Sequence, residues 1–265
     1  MHIIVCVKQV PDTANVRINP DTNTLMREGV ESIINPFDEY ALEEALKLKD
    51  TCGARVSVLT MGPPQADIVL REAMARGADD GVLLTDRVFA GADTWATSYV
   101  IAQAIKKLNP KPDLVLFGKQ AIDGDTAQVG PGVSEFLKIP LVTYVKSIQV
   151  ADGRFTAETM MDDGVDFIEG SMPAVMTVLK EAAPPRFARL GGWMAAKHAA
   201  IPRWSAKDLK AVPELCGLQG SPTKVVKIFA PPTKSGGIRM DGRELPSAAV
   251  QAIVKLLHQK GLANS

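Results

Sequence analysis

The stretch Asp113-Leu114-Val115-Leu116-Phe117-Gly118-Lys119-Gln120-Ala121-Ile122-Asp123-Gly124-Asp125-Thr126-Ala127-Gln128-Val129-Gly130-Pro131 carries the fold. Its first five residues read as an apolar strand. Gly118 to Asp125 read as a loop, and a helix is expected from about Thr126 to Leu137. A fully apolar strand leading through a short glycine-bearing loop into a helix is the βα unit of a parallel sheet buried on both faces. In an open sheet of that kind, ligands sit beyond the carboxyl ends of the strands, where strand order reverses. Gly118, Gly124 and Gly130 would let backbone N–H groups approach a ligand. The positive end of the following helix would face the loop, a suitable site for phosphate or pyrophosphate. A simpler alternative is that Gly124 and Gly130 only shape a turn. The side chains of Thr126 and Gln128 are further candidate donors. Asp123 and Asp125 would repel a phosphate, so they are expected to cap the helix or meet ribose hydroxyls.

The same pattern extends outward from this unit. His2 to Val10 reads as one buried strand, followed by a turn-rich stretch from Pro11 to Asn23. Asn35 is the expected N-cap of a helix, with Pro36 at its first position and Asp38 and Glu39 suited to its positive end. Arg55 to Met61 is a strand. Gln65 to Arg76 is a helix closed by Gly77. Gly81 to Leu84 is a short strand, and Asp93 caps a helix running to Leu108. The alternation predicts a doubly wound, mostly parallel α/β sheet with helices on both faces. Beyond residue 140, Leu141 to Gln149, Arg154 to Met161, Val165 to Glu169 and Val175 to Lys180 read as shorter strands, expected to be antiparallel or edge additions. Residues 181–204 hold Phe187, Leu190, Trp193 and Met194 between Pro184-Pro185 and Gly191-Gly192. They read either as a local core or as a projecting loop with exposed apolar anchors. Ser221 to Gly237 reads as an extended arm, and a helix follows from about Ile253 to Lys260.

Composition narrows the function. Lys plus Arg equals Asp plus Glu, at 30 each. That balance supplies no basic field for non-specific nucleic-acid binding. Aromatic residues at 5% offer few base-stacking platforms. No apolar run reaches the ~20 residues of a membrane span. Met1 to Lys8 lacks a basic n-region and a small-residue cleavage site, so no signal peptide is expected. Cys6, Cys52 and Cys216 form no CxxC pair, which argues against disulfides, an iron–sulfur cluster and a zinc site and predicts a reduced, cytoplasmic protein. GxxxxGK[ST], GxGxxG and GxSxG are all absent. Any chemistry is therefore expected to belong to a cofactor, with the chain supplying binding and electrostatics.

Three segments together, Cys6-Val7-Lys8-Gln9-Val10-Pro11-Asp12-Thr13, the run from Asn35 to Ala45 (NPFDEYALEEA) and the run from Gly118 to Pro131 (GKQAIDGDTAQVGP), resemble the beta subunit of electron-transfer flavoproteins. The likeness covers nearly the whole chain and is closest to the electron-bifurcating branch. It implies an adenine-nucleotide-binding, HUP-like α/β domain over residues 1–220, with a protruding partner-recognition loop at 181–204. Residues 221–265 would form a C-terminal arm and helix packing on an alpha subunit in a heterodimer. In the bifurcating branch the beta subunit carries an FAD that accepts hydride from NADH. One electron goes to ferredoxin and the other, through the alpha-subunit FAD, to a flavin dehydrogenase such as an acyl-CoA dehydrogenase. The simpler branch carries structural AMP instead. A stand-alone ATP-binding regulatory protein of similar architecture is the reading from another class.

Carried over by motif, the resemblance implies a nucleotide site formed by Cys6, Asn35, Pro36, Phe37, Asp38, Met61, Gly118, Lys119, Gln120, Ala121, Ile122, Asp123, Gly124, Asp125, Thr126, Ala127, Gln128 and Val129, with no catalytic residue and no metal. Ala127 and Val129 stand where the AMP type has Asn and Thr. Losing those polar groups favours FAD over AMP. Arg186, Phe187, Leu190, Trp193 and Met194 fall in the family's recognition loop, more commonly written EPRYxxLxxIMKAKKK, with Leu190 as the anchor for the dehydrogenase. Pro185 and Trp193 depart from that pattern, and its Lys-rich end is reduced here to Met194-Ala195-Ala196-Lys197.

Overall fold

The computed structural model describes residues 1–12, 17–18, 25–26, 32–226 and 239–262. Its core is a nine-stranded sheet. In chain order the first elements are β1 (His2–Cys6), β2 (Gln9–Pro11), β3 (Arg17–Ile18), β4 (Leu25–Met26), β5 (Ser32–Ile34) and α1 (Pro36–Cys52). There follow β6 (Arg55–Met61), α2 (Asp67–Arg76), β7 (Asp80–Leu84), α3 (Thr94–Lys107), β8 (Leu114–Gly118) and α4 (Val129–Leu137). Then come β9 (Leu141–Ala151), β10 (Arg154–Met160), β11 (Val165–Ser171), β12 (Ala174–Val178), α5 (Leu190–His198), β13 (Arg203–Trp204) and α6 (Pro246–Gln259).

The sheet order is β11-β10-β9-β12-β8-β1-β6-β7-β13. From β9 through β13 every pairing is parallel, while β10 and β11 add an antiparallel margin. The chain winds from β1 outward through β6 and β7, then returns to β8 on the other side of β1. The switch point therefore lies between β1 and β8. All five residues of β1 and all five of β8 are buried, as both-sided cover demands. Alternate strand residues feed two cores. Ile3, Val5, Val58, Leu114 and Leu116 meet Leu42, Leu46 and Leu70 of α1 and α2. Ile4, Leu59, Val82, Val115 and Phe117 meet Val100, Ile101 and Val133 of α3 and α4.

The doubly wound parallel sheet is as the sequence predicts, and β6, the Asp93 cap and the Gly77 terminus fall where expected. Asp93 accepts from the backbone N–H groups of Trp95 and Ala96, and Gly77 takes φ +132°. Other expectations are corrected. The strand from His2 to Val10 breaks at Val7-Lys8, because Gln9–Pro11 leaves the sheet to pair with β5. The strand near 175 is no edge: β12 lies between β8 and β9, parallel to both. Residues 181–204 are not an irregular loop, since they include α5 and β13. Gly192 makes the packing of α5 possible, as a Cβ there would lie 2.2 Å from the carbonyl oxygen of Ala75 on α2.

Two compact units divide the chain at Val226/Lys227. In the second, α6 starts at Pro246, earlier than the expected Ile253, and carries Val250, Ile253, Val254 and Leu257 at helical spacing. Most of the expected arm from Ser221 to Gly237, and most of the turn-rich stretch from Pro11 to Asn23, lie outside the described residues. Among the described residues no helix is long and apolar enough to cross a membrane.

Candidate functional site

At the switch point the ends of β1 and β8 are tied together through the start of α1. The Asp38 carboxylate accepts from the Lys8 N–H at 2.7 Å and from the Gly118 N–H at 3.2 Å, so one side chain joins both walls of the crevice. Burial pushes the Asp38 carboxyl up to about 7, although the Asn35 side chain, the two backbone N–H groups and the Lys8 charge all pull it down. Asn35 is fully buried and does not cap its helix through its side chain, contrary to expectation. Instead its amide donates to the Gln120 carbonyl at 2.8 Å, and its oxygen accepts from the Ile122 N–H at 3.1 Å. The Lys8 ammonium closes the gap from the other wall, 2.7 Å from Asp123.

Thus the 118–128 loop is shaped from beneath by Asn35 and Asp38 and braced above by Lys8. Asp123 and Asp125 do not cap α4: Asp123 pairs with Lys8, and Asp125 accepts from the Gln120 amide. Nor does the helix start at Thr126. Asp125 and Ala127 take φ of +54° and +55°, outside the helical region, and α4 begins only at Val129. Positive φ at Asp125 and Ala127, next to φ −105° at Gln128, curls the chain into a concave run of amides of the kind that binds anions. The N–H groups of Asp123, Thr126, Ala127 and Gln128 have no partner among the described residues. Three of these amides, on the consecutive residues Thr126, Ala127 and Gln128 just before a helix N-terminus, are suited to an oxyanion.

The glycines have different roles. A Cβ at Gly118 would lie 2.5 Å from both Asp38 Oδ1 and the Phe37 carbonyl carbon, so Gly118 lets α1 pack on β8, and its N–H is already engaged. Gly130 has the same role against Thr177, 2.8 Å away. Gly124 alone borders open space. Pro36 and Phe37 are half-buried at the start of α1, and Met61 is half-buried at the end of β6. Cys6 is buried at the end of β1, and its thiol is pushed up by burial and then by the nearby Asp38, so it stays neutral. Sequence reasoning overlooked Lys8 as a brace, although a lysine directly after a buried strand was a usable signal.

The second site predicted from sequence is separate. Phe187, Leu190 and Met194 are 95%, 78% and 65% exposed, and Trp193 is 44% exposed, so the local-core alternative fails. Arg186 points inward. Its N–H, Nε and Nη2 all bond Glu43, and Nη2 also reaches Asp50 at 2.8 Å. These carboxylates raise the Arg186 guanidinium further above its ordinary range. Arg186 therefore anchors the segment, and the apolar residues after it form the exposed surface. Arg71 secures the far end by donating to the carbonyls of Ala196, Lys197 and Ala199.

The comparisons agree with this architecture. Residues 22–209 match the electron transfer flavoprotein domain. The caffeyl-CoA reductase-Etf complex subunit CarD of Acetobacterium woodii is 50% identical over 97% of this chain and 98% of its own length. The electron transfer flavoprotein subunit beta of Clostridium acetobutylicum is also 50% identical, with the same coverage. Protein FixA of Bradyrhizobium diazoefficiens is 47% identical over 89% of this chain and 84% of its own. The chain belongs to the electron transfer flavoprotein family, and it is similar to that family's beta subunits.

Proposed function

We infer that this chain is the beta subunit of a cytoplasmic, heterodimeric electron-transfer flavoprotein and holds FAD at the β1/β8 crevice. The observation that carries the reading is the run of unpaired N–H groups at Asp123, Thr126, Ala127 and Gln128. It is a ready counterpart for a pyrophosphate, on a loop that α1 has already shaped. Asn35 and Asp38 hold that loop, Lys8 neutralises Asp123, and Cys6 and Met61 line the apolar floor. Ala127 and Val129 add no polar side chain at the helix start, which supports a dinucleotide running past it over an AMP that ends there. Bound FAD would supply hydride acceptance from NADH and one-electron delivery to ferredoxin and to the alpha-subunit FAD.

The name of the Acetobacterium woodii relative supports an alpha-subunit partner and a reductase or dehydrogenase of a CoA thioester, such as an acyl-CoA dehydrogenase, as the recipient of electrons. Phe187, Leu190 and Met194 would meet that recipient. The test is to purify the complex, denature it and identify the released nucleotides. More than one FAD per heterodimer, with flavin reduction by NADH, is the expected result. AMP with a single FAD would select the non-bifurcating form. Nucleotide binding by this chain with no alpha partner on copurification would select the regulatory alternative.

A further inference from the structure

Tyr144 stands out in β9. It is a bulky residue at φ +57°, where residues other than glycine, asparagine and aspartate are seldom found. The cause is a bulge. Met176 pairs with Val142 and Val178 with Val145, so Thr143 and Tyr144 together oppose Thr177. The Tyr144 N–H is satisfied by the Thr177 hydroxyl at 3.2 Å in place of a ladder partner. The bulge lies at the carboxyl edge of the sheet, level with Thr177 of β12 and hence with Phe117 of β8, one residue before Gly118. That is the edge from which the 118–128 loop departs. The ring, 41% exposed, lies beneath the Lys119 ammonium, 5.5 Å from centroid to Nζ. Lys119 has no carboxylate within ion-pair distance among the described residues, in contrast to Lys8 on the opposite wall.

Backbone strain kept at a site edge, with an aromatic face under an otherwise unpartnered cation, is a device for orienting that cation. We propose that Tyr144 is a positioning residue of the crevice, its bulged backbone holding the ring so that the Lys119 charge is presented to an anionic ligand bound at the 118–128 loop. The proposal rests on the nucleotide reading above but assigns a residue which that reading does not include.

The experiment uses the intact complex stripped of nucleotide, with FAD and AMP as probes. Binding affinity, melting temperature and subunit association are measured for wild type, Tyr144→Phe, Tyr144→Gly, Lys119→Met and the double variant Tyr144→Gly/Lys119→Met. Tyr144→Phe keeps the ring and should bind within about twofold of wild type. Tyr144→Gly should weaken binding about two- to fivefold, the worth of an exposed cation–π contact. Its melting temperature should be unchanged or higher, because glycine accepts positive φ freely. In the Lys119→Met background, Tyr144→Gly should cost nothing further. An equal loss in both backgrounds, or unchanged affinity in the single variant, overturns the proposal and leaves the nucleotide reading standing. Weakened subunit association with intact nucleotide binding also overturns it, by making the ring a protein contact. A wild-type complex that binds neither probe ends both readings.

Discussion

The 118–128 loop and the segment from Arg186 to His198 are built on one plan with opposite chemistry at the surface. Each is secured by polar side chains of neighbouring helices: the buried Asn35 and Asp38 of the α1 start for the loop, and the buried Glu43 with the half-buried Arg71 for the segment. Each then exposes what the anchors do not use. The loop exposes backbone N–H groups, whereas the segment exposes Phe187, Leu190 and Met194. The difference teaches that the anchors control shape and the exposed groups control what binds. Disturbing an anchor should cost stability, while disturbing an exposed group should cost binding alone.

The largest effect tests the loop anchor through pH. Asp38 is buried and its carboxyl rises from 3.8 to about 7. Between these values the folded protein keeps a proton that the unfolded chain has lost, so stability falls as pH rises across this window. Above pH 7 the loss is complete, at roughly 4 kcal/mol at most. Urea unfolding at pH 5, 6, 7 and 8 should show that slope in wild type, and Asp38→Asn should abolish it. An unchanged slope in the variant would remove Asp38 as its source.

Asn35→Ala comes next. It leaves the Gln120 carbonyl and the Ile122 N–H without their partner, and should cost about 3 kcal/mol. Amide exchange at Lys119, Ile122, Gly124 and Asp125, whose N–H groups are hydrogen-bonded, should quicken well beyond exchange in 187–198. On the other side of the comparison, Arg186→Ala leaves the buried Glu43 carboxylate with only the backbone N–H of residue 186 as a partner in this segment. Roughly 2 kcal/mol is expected, below the value for a fully buried pair because Arg186 is partly solvated. Limited proteolysis should then cut 187–198 first and spare the loop. The smallest effect on stability should come from Leu190→Ala. A side chain 78% exposed contributes little to folding, and the change in stability should stay within about 0.5 kcal/mol. Under the function proposed above, electron delivery to the recipient should slow while flavin content holds. If flavin is lost instead, the two regions are not independent.

How far these regions were legible in the sequence follows from the range of the forces that form them. The strand at Leu114–Gly118, the Asp93 cap and the Gly77 terminus were readable because each depends on a few adjacent residues. The exposed character of Phe187 and Leu190 was readable in part from the prolines and glycines around them, but α5 was not. That helix is held by Arg71 and by the fit of Gly192 on α2, both distant in the chain. Asn35 looked like a helix cap because its neighbours are those of a cap. Its side chain instead serves a loop more than eighty residues away.

By itself, the order of apolar runs, glycines and caps determined a parallel, doubly wound sheet and singled out the loop that follows the strand ending at Gly118, because burial and local backbone preference act along the chain. Only the tertiary structure decided that β12 lies inside the sheet, that Asp38 joins both walls of the crevice, that Gly118 serves packing, and that Tyr144 sits on a bulge under Lys119. Those outcomes depend on which strands become neighbours and on the register they adopt, and side chains from distant positions meet only after that pairing is made.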